Sequence, residues 1–382
     1  MANFFMRKHS DKKINIAFIA AIFLLLGLIS NPTYANEYAT NREITMPNKQ
    51  KIDPMIGSQK VDGKFTNRVA REGYSFEKLR KLTSAFISDK SDQSVPSKTL
   101  PLSNISAEQL LNATNNTMWR LGHSTLLMKL DDELWMTDPV FSKRASPSQI
   151  IGPKRFHPTP IKIGALPEIK GVIISHDHYD HLDKAAILEL SNKVETFYTP
   201  LNVGDLLIDW GVAASKVQQY DWWDSVKVGE VTITCTPAQH FSGRGLLDGD
   251  KRLWASWAIK TSELNVFFSG DTGYFEGFKT IGEKLGPFDI AFVETGAYNT
   301  LWADIHMLPE DTLQAHLDLQ SVHLYPIHNG TFDLSLHAWY EPFDRINELA
   351  NKNNVSLLMP IIGEPINMLA PPKTSAWWQD YK

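Results

Sequence analysis

Three histidines and three aspartates stand within nine residues, in the sequence Ser-His-Asp-His-Tyr-Asp-His-Leu-Asp at 175–183. Imidazole and carboxylate groups are the ligands that zinc and related cations take in proteins. His176 and His178 alternate along the chain and can point to one side, while Asp180 and His181 can face a second ion. The spacing therefore predicts a metal site. Two ions would each need one further histidine, and a bridging carboxylate would offset their charge.

The elements around this cluster must hold it in place. The apolar residues 172–174 predict a buried strand that ends where the histidines begin, and Asp183 is placed to cap a helix that runs to residue 190. Three more candidate ligands follow predicted strands: His240 comes after 231–236, Asp271 after 266–268, and His328 after 324–327. Because side chains at the ends of separate strands converge on one sheet edge, we expect these residues to complete the site.

The order of the elements predicts an α/β fold. Strands come first in runs and later alternate with helices, which indicates a layered fold with mixed sheets. The other predicted strands cover 119–121, 125–130, 134–137, 197–200 and 290–293, and the predicted helices cover 76–86, 201–210, 309–319 and 341–351.

The N-terminus has the pattern of an export signal. Basic residues precede an apolar run at 16–29, and Thr33-Tyr34-Ala35 offers a small-residue cleavage site. This order predicts a signal peptide over residues 1–35, cleaved after Ala35, and hence a periplasmic or secreted protein. An uncleaved anchor is the alternative, although the run is shorter than the roughly 20 residues that a span needs. We predict an extension at 36–112 that wraps the core or stays partly mobile, a globular domain at 113–370 and a tail at 371–382.

Composition restricts the class of protein further. A chain of 382 residues with 43% hydrophobic residues can bury a large core. Its net charge of -5 shows no basic excess, so nucleic acid is not favoured as a partner. The single cysteine, Cys235, cannot form an internal disulfide and is expected to be a small buried residue of a strand.

The order His-x-His-x-Asp-His, then His240, Asp271 and His328, resembles the metallo-β-lactamase superfamily. Other blocks resemble more closely the N-acylphosphatidylethanolamine-hydrolysing phospholipase D family, and the likeness covers roughly residues 115–369. These blocks are Gly-His-Ser-Thr at 122–125, Thr-Asp-Pro-Val-Phe-Ser at 137–142, Ser-Pro-Ser-Gln at 146–149, Gly-Pro-Lys-Arg-Phe at 152–156, Asp-Trp-Trp at 221–223, Thr-Pro-Ala-Gln-His at 236–240, Ser-Gly-Asp-Thr-Gly-Tyr at 269–274 and Pro-Ile-His-Asn-Gly-Thr-Phe at 326–332.

The resemblance implies a fold and a ligand set. The fold is a four-layer αββα sandwich of two mixed sheets, with the site at one edge. The ligands it implies are His176, His178 and His240 for one Zn2+, Asp180, His181 and His328 for a second Zn2+, and Asp271 as the bridge. Mn2+ or Fe2+ could occupy the same ligands, because metal availability as well as geometry decides. His123 and Asp138 fit a supporting role around the ligands, although a packed turn histidine and a cap are the alternatives.

The resemblance also implies a reaction. A hydroxide held between the two metals would attack the phosphorus of an N-acylphosphatidylethanolamine-like phospholipid, in a phospholipase D-type hydrolysis. The leaving alkoxide could take its proton from metal-bound water or from His306, so Asp180 and His306 are the candidate catalytic residues.

Other readings of the sequence stay open. A lactonase or esterase could use the same site, and a non-catalytic metal-binding protein is a further alternative.

Asn329 departs from the family pattern, which has an aromatic residue there, and the N-terminal extension shows no likeness to the family's. Contact of acyl chains with Trp222, Trp223, Trp302, Trp377 or Trp378 competes with simple packing. Peripheral membrane contact and a homodimer also stay open.

Overall fold

A computed structural model of the chain describes residues 56–71, 73 and 75–382, so the predicted signal peptide lies outside the described residues. The strands are β1 Gln59–Val61, β2 Lys64–Thr66, β3 Thr117–Gly122, β4 Thr125–Leu130, β5 Glu133–Thr137, β6 Ile169–Ile173, β7 Val194–Pro200, β8 Val217–Tyr220, β9 Ser225–Val228, β10 Val231–Thr236, β11 Ser256–Lys260, β12 Asn265–Phe268, β13 Ile290–Glu294, β14 His323–Ile327, β15 Ser356–Leu357 and β16 Pro365–Asn367. The helices are α1 Phe76–Ser88, α2 Ala107–Asn112, α3 Lys184–Leu190, α4 Val203–Asp209, α5 Gly277–Leu285, α6 Pro309–Asp318 and α7 Glu341–Lys352.

Two seven-stranded sheets carry the site. The first has the order β16-β3-β4-β5-β6-β7-β8 and the second the order β15-β14-β13-β12-β11-β10-β9. In the first sheet, the neighbours β16, β3, β4 and β5 pair antiparallel, and the neighbours β5, β6, β7 and β8 pair parallel. In the second sheet, β9 to β12 pair antiparallel and β12 to β15 pair parallel. Both sheets are therefore mixed, as predicted.

Apolar side chains fill the space between the sheets and cover both outer faces. Met128 and Ile173 of the first sheet share a buried cluster with Ile233, Phe268 and Phe292 of the second. Burial of each such side chain stabilises the fold by about 1.5–3 kcal/mol. The outer clusters contain Ala186, Ile187, Val203 and Leu207 of α3 and α4 on the first sheet, and Phe278, Ile281, Ala315, Phe343 and Ile346 of α5, α6 and α7 on the second. The predicted four-layer αββα sandwich is confirmed.

The elements missing from the sequence prediction are mostly short. β8 and β9 are strands of four residues each at the ends of their sheets, too short for a clear hydrophobic pattern.

Cys235 is fully buried in β10, as expected. Trp222, Trp302 and Trp378 are buried as well, which supports core packing over contact with acyl chains.

The described part of the predicted extension lies against the sandwich. β1 and β2 form a hairpin, and Phe65 of β2 is buried in the cluster between the sheets. Helix α1 packs Leu82 and Phe86 against Trp302 and Ile305. Among the described residues, no helix combines the length and the apolarity that crossing a bilayer requires.

Candidate metal centre

The predicted ligands lie at one edge of the sandwich, where the two sheets meet. Residues 176–181 follow β6, His240 follows β10, Asp271 follows β12 and His328 follows β14. A hydrogen bond links the two sheets next to these ligands: the indole of Trp257, in β11 of the second sheet, donates to the carbonyl of Ile174, which follows β6 of the first sheet, at 3.0 Å. The structure thus brings together every residue that the sequence predicts as a ligand.

His176, His178 and His240 form what we name the first ligand group. Nδ1 of His178 lies 2.9 Å from Nε2 of His176 and 3.2 Å from Nε2 of His240. The ligand atoms of this group and of Asp271 all lie within 4.8 Å of one another. Ring nitrogens that converge in this way suit one cation with imidazole ligands.

Asp180, His181 and His328 form the second ligand group. Oδ2 of Asp180 lies 3.2 Å from Nε2 of His328 and 3.6 Å from Nε2 of His181. The same oxygen is 3.0 Å from Nε2 of the buried His123. This contact is what the predicted supporting role of His123 requires. A ring nitrogen of His123 also lies within 4.8 Å of the ligand atoms of the second ligand group, which makes His123 a further candidate ligand.

Asp271 lies between the two groups. Its Oδ1 is 3.0 Å from Nε2 of His181, and its Oδ2 is 3.0 Å from Nε2 of His328. Oδ2 also lies 3.8 Å from Nε2 of both His176 and His240. One carboxylate therefore faces both ligand groups, as the predicted bridging role requires.

The outer nitrogens of three ligand rings are held by hydrogen bonds. Nδ1 of His240 donates to the Ile305 carbonyl at 3.0 Å, and Nδ1 of His181 donates to Asp138 at 2.7 Å. Ser175 Oγ donates to Asp138 at 2.6 Å and lies 2.9 Å from Nδ1 of His176, whose proton it can accept. Nε2 of each ring is thereby directed into the cluster. The contacts of Asp138 agree with its predicted supporting role.

Two buried polar atoms test whether these residues fit a metal. Nε2 of His181 and Oδ1 of Asp271 are 3.0 Å apart, yet neither has a hydrogen-bond partner among the described residues. An unpaired buried polar group costs about 1–3 kcal/mol. A cation between the two atoms would satisfy both, so the donor set fits a metal centre.

Burial and charge place the two groups in different protonation states. Burial lowers the pKa of His176, His178 and His240, so these rings are neutral and can offer lone pairs. Burial also acts to lower the pKa of His328, but the charge of Asp271 and the hydrogen bonds to Asp180 and Asp271 outweigh it and raise that pKa to about 10. A cation in the second group therefore competes with protons.

A carboxylate that the sequence analysis missed lies beside the ligands. Glu294 ends β13, is fully buried and accepts a hydrogen bond from Nδ1 of His306. Its other oxygen accepts from the Thr272 amide at 2.7 Å. Burial opposes protonation of His306, but the Glu294 charge outweighs it and raises the pKa of His306. A polar residue at the end of a predicted strand was the signal that could have identified Glu294.

Asn329, which departs from the family pattern, is held by a buried arginine. Its Oδ1 accepts from Nη1 of Arg120 at 3.0 Å, and its carbonyl accepts from Nη2 at 2.6 Å. Nε of Arg120 donates to the His123 carbonyl at 3.0 Å. Arg120 therefore joins the segments that carry His123 and His328, while Asn329 also lines a cleft beside His328.

Comparisons with known proteins agree with this geometry. Residues 135–329 match the family model described as a beta-lactamase superfamily domain. An uncharacterized protein of Mycobacterium tuberculosis is 44% identical over 262 residues, which cover 68% of this chain and 70% of the relative. The N-acyl-phosphatidylethanolamine-hydrolyzing phospholipase D 1 of Caenorhabditis elegans is 38% identical over 272 residues, which cover 68% of this chain and 76% of the relative.

A solved structure shows the same fold. Igni18, a metallo hydrolase from Ignicoccus hospitalis, aligns with a TM-score of 0.51 at 20% identity, covering 65% of this chain and 97% of that chain. The chain therefore belongs to the metallo-β-lactamase superfamily of metal-dependent hydrolases, and its similarity to the nematode enzyme supports the resemblance to the N-acylphosphatidylethanolamine-hydrolysing phospholipase D family.

Proposed function

We propose that this chain is a zinc-dependent phosphodiesterase of phospholipase D type that acts on N-acylphosphatidylethanolamine-like phospholipids. The observation that carries the proposal is the position of Asp271 between the ligand groups, 3.0 Å from His181 and His328 and 3.8 Å from His176 and His240, since two-metal sites of this kind serve phosphodiester hydrolysis. The 38% sequence identity with the nematode phospholipase D supports the choice of substrate class.

The first and second ligand groups would hold the two cations, with Asp271 shared between them. Two divalent cations bound here would supply Lewis acidity, which makes water nucleophilic near neutral pH and attracts the charge that develops on phosphoryl oxygens. The side chains of Asp180 and His306 retain exposures of 15% and 14%, so they mark the side from which a substrate can approach.

His306 supplies the proton that the leaving group needs, and Glu294 supports it. Glu294 binds Nδ1 of His306 and stabilises the imidazolium, so Nε2 is the atom that can donate to the departing alkoxide. General acid catalysis of this kind contributes about 10²-fold or more. The same hydrogen bond fixes the orientation of the ring.

A His306→Ala variant should therefore lose about 100-fold in kcat, because the alkoxide would leave without a positioned proton donor. Its zinc content should equal that of the wild-type protein, since His306 lies outside both ligand groups. Steady-state kinetics on vesicles that contain N-acylphosphatidylethanolamine, whose leaving group is an alkoxide, and elemental analysis check the two statements. Turnover equal to wild type at full metal content would show that His306 has no part in proton transfer.

The substrate class is tested with a panel of zinc-loaded assays. Purified protein is given bis(p-nitrophenyl) phosphate, vesicles that contain N-acylphosphatidylethanolamine, a lactone and nitrocefin. We expect turnover of the two phosphodiesters, with release of phosphatidic acid from the vesicles detected by mass spectrometry. Turnover of the lactone alone would favour a lactonase instead. Absence of turnover with every compound would favour a non-catalytic metal-binding protein.

The cellular setting is part of the proposal. The predicted signal peptide at 1–35 would place the enzyme in the periplasm or outside the cell, where it could meet a membrane surface peripherally. N-terminal sequencing of the protein recovered from its native host tests this, and a mature chain that begins after Ala35 is the expected result.

A further inference from the structure

We propose that Asn67, in the N-terminal extension, is a positioning residue of the metal centre that holds His240 in the first ligand group. Its Nδ2 donates to the His240 carbonyl at 2.7 Å, and the His240 amide donates to its Oδ1 at 3.0 Å. The Trp254 indole donates to the same Oδ1 at 2.9 Å. One side chain, 173 residues away in sequence, thus binds both backbone polar groups of a candidate ligand.

The backbone of His240 needs such a partner because it lies beyond the sheet. Pairing of β10 with β11 ends at Thr236 and Ser256, so the ladder does not reach residue 240. A buried amide and carbonyl require hydrogen bonds, and Asn67 provides both as a neighbouring strand would. On its other side, the His240 ring is held by the Ile305 carbonyl at 3.0 Å. Backbone and ring are thus both fixed, with Nε2 directed at His178.

The segment that carries Asn67 is anchored by contacts that do not involve Asn67 itself. The Phe65 ring is buried, and the Phe65 amide donates to the Asp250 carbonyl at 2.7 Å. Arg71 forms an ion pair with Asp250 at 2.6 Å. Nε2 of Gln239 donates to the Val69 carbonyl at 2.8 Å. Replacement of Asn67 should therefore release His240 without detaching the segment.

The consequence is selective, because the described hydrogen bonds of Asn67 reach His240 of the first ligand group and no residue of the second. In the second group, Asp138 holds His181 and His123 holds Asp180. The proposal rests on the metal-binding part of the proposed function and is independent of the substrate. Loss of Asn67 should weaken one of the two zinc sites and spare the other.

The test compares zinc binding by Asn67→Ala with a matched control, Asn265→Ala. Asn265 also uses Nδ2 on two backbone carbonyls, those of Leu285 at 2.7 Å and Pro287 at 2.8 Å, but it stands at the start of β12, away from Asp271. Competition titration with a chromogenic chelator should show one zinc per chain bound about 10–100-fold more weakly in Asn67→Ala, the loss typical of residues that orient a metal ligand. Asn265→Ala should bind both zinc ions as wild type does.

A spectroscopic readout and a conservative variant complete the experiment. The visible absorption spectrum of the cobalt-loaded protein should change in Asn67→Ala and stay unchanged in Asn265→Ala. Asn67→Asp keeps the acceptor for the His240 amide and loses the donor, so we expect an intermediate loss of affinity. Equal zinc affinities and spectra in wild type and both Asn67 variants would overturn the proposal, as would equal losses in Asn67→Ala and Asn265→Ala. Wild-type protein that binds no zinc would overturn the metal centre itself, whereas zinc binding without phosphodiester cleavage would overturn only the proposed substrate class.

Discussion

Removal of metal by a chelator should abolish phosphodiester hydrolysis and lower the thermal midpoint of the protein by roughly 10 °C. Each zinc site held at 100 times its dissociation constant stabilises the fold by about 2.7 kcal/mol, and two sites by about 5 kcal/mol. For a domain of this size, 1 kcal/mol corresponds to about 2 °C or slightly more. The structural reason is the convergence of buried ligand atoms, including Nε2 of His181 and Oδ1 of Asp271, which lack a hydrogen-bond partner within the part of the chain that the structure describes.

Differential scanning fluorimetry and the bis(p-nitrophenyl) phosphate assay measure the two effects. Addition of zinc in slight excess should restore both activity and midpoint. The His323→Ala variant is the matched control, because His323 begins β14 at the end opposite His328 and should not bind the active-site metal. Its response to the chelator should equal that of the wild type. If the chelator changed neither the thermal midpoint nor the activity of the wild-type protein, that result would contradict a structural and catalytic metal centre.

An Asp271→Asn variant should lose at least about 1,000-fold in activity together with most of its bound zinc. The amide has the size of the carboxylate but lacks the charge that faces His181 and His328 at 3.0 Å. Residues that merely orient a ligand already contribute 10–100-fold to metal affinity, and Asp271 faces both ligand groups. Elemental analysis after gel filtration and steady-state kinetics provide the measurement.

Asp289→Asn is the control for this substitution. The Asp289 carboxylate accepts a hydrogen bond from the backbone amide of Asn265 at 2.7 Å, at the opposite end of the sheet from the metal centre. This variant should keep its zinc and its activity even where it unfolds at a lower temperature. Retention of two zinc ions by Asp271→Asn would refute the bridging role of Asp271.

The ligands could be predicted because each follows a strand. The residue types of the 175–183 segment already indicated a metal, and the strands before His240, Asp271 and His328 are apolar enough to be recognised individually. Strands that run in the same direction present their carboxyl ends at the same edge of a sheet, so strand position favoured convergence of His240, Asp271 and His328. Their meeting with residues 176–181, which follow a strand of the other sheet, required the packing of the two sheets. Glu294 shows the same pattern, because it directly follows the apolar residues 290–293.

Contacts between distant segments could not be predicted in this way. The bond between His123 and Asp180 joins residues 57 apart, and the one between Arg120 and Asn329 joins residues 209 apart. Neither pair has a local pattern, because the residues meet only after both sheets have packed. The N-terminal extension illustrates the same limit, since its polar sequence indicates no chemistry, yet Asn67 reaches His240.

The sequence by itself determined the chemistry of the ligands, their order along the chain and the class of fold, because residue type and hydrophobic periodicity are local properties. Only the tertiary structure decided that Asp271 faces both ligand groups, that Ser175, Asp138 and Ile305 hold the outer ring nitrogens, and that Glu294 binds His306. Those relations depend on the separation and orientation of strands in two sheets, which close packing of the buried side chains establishes.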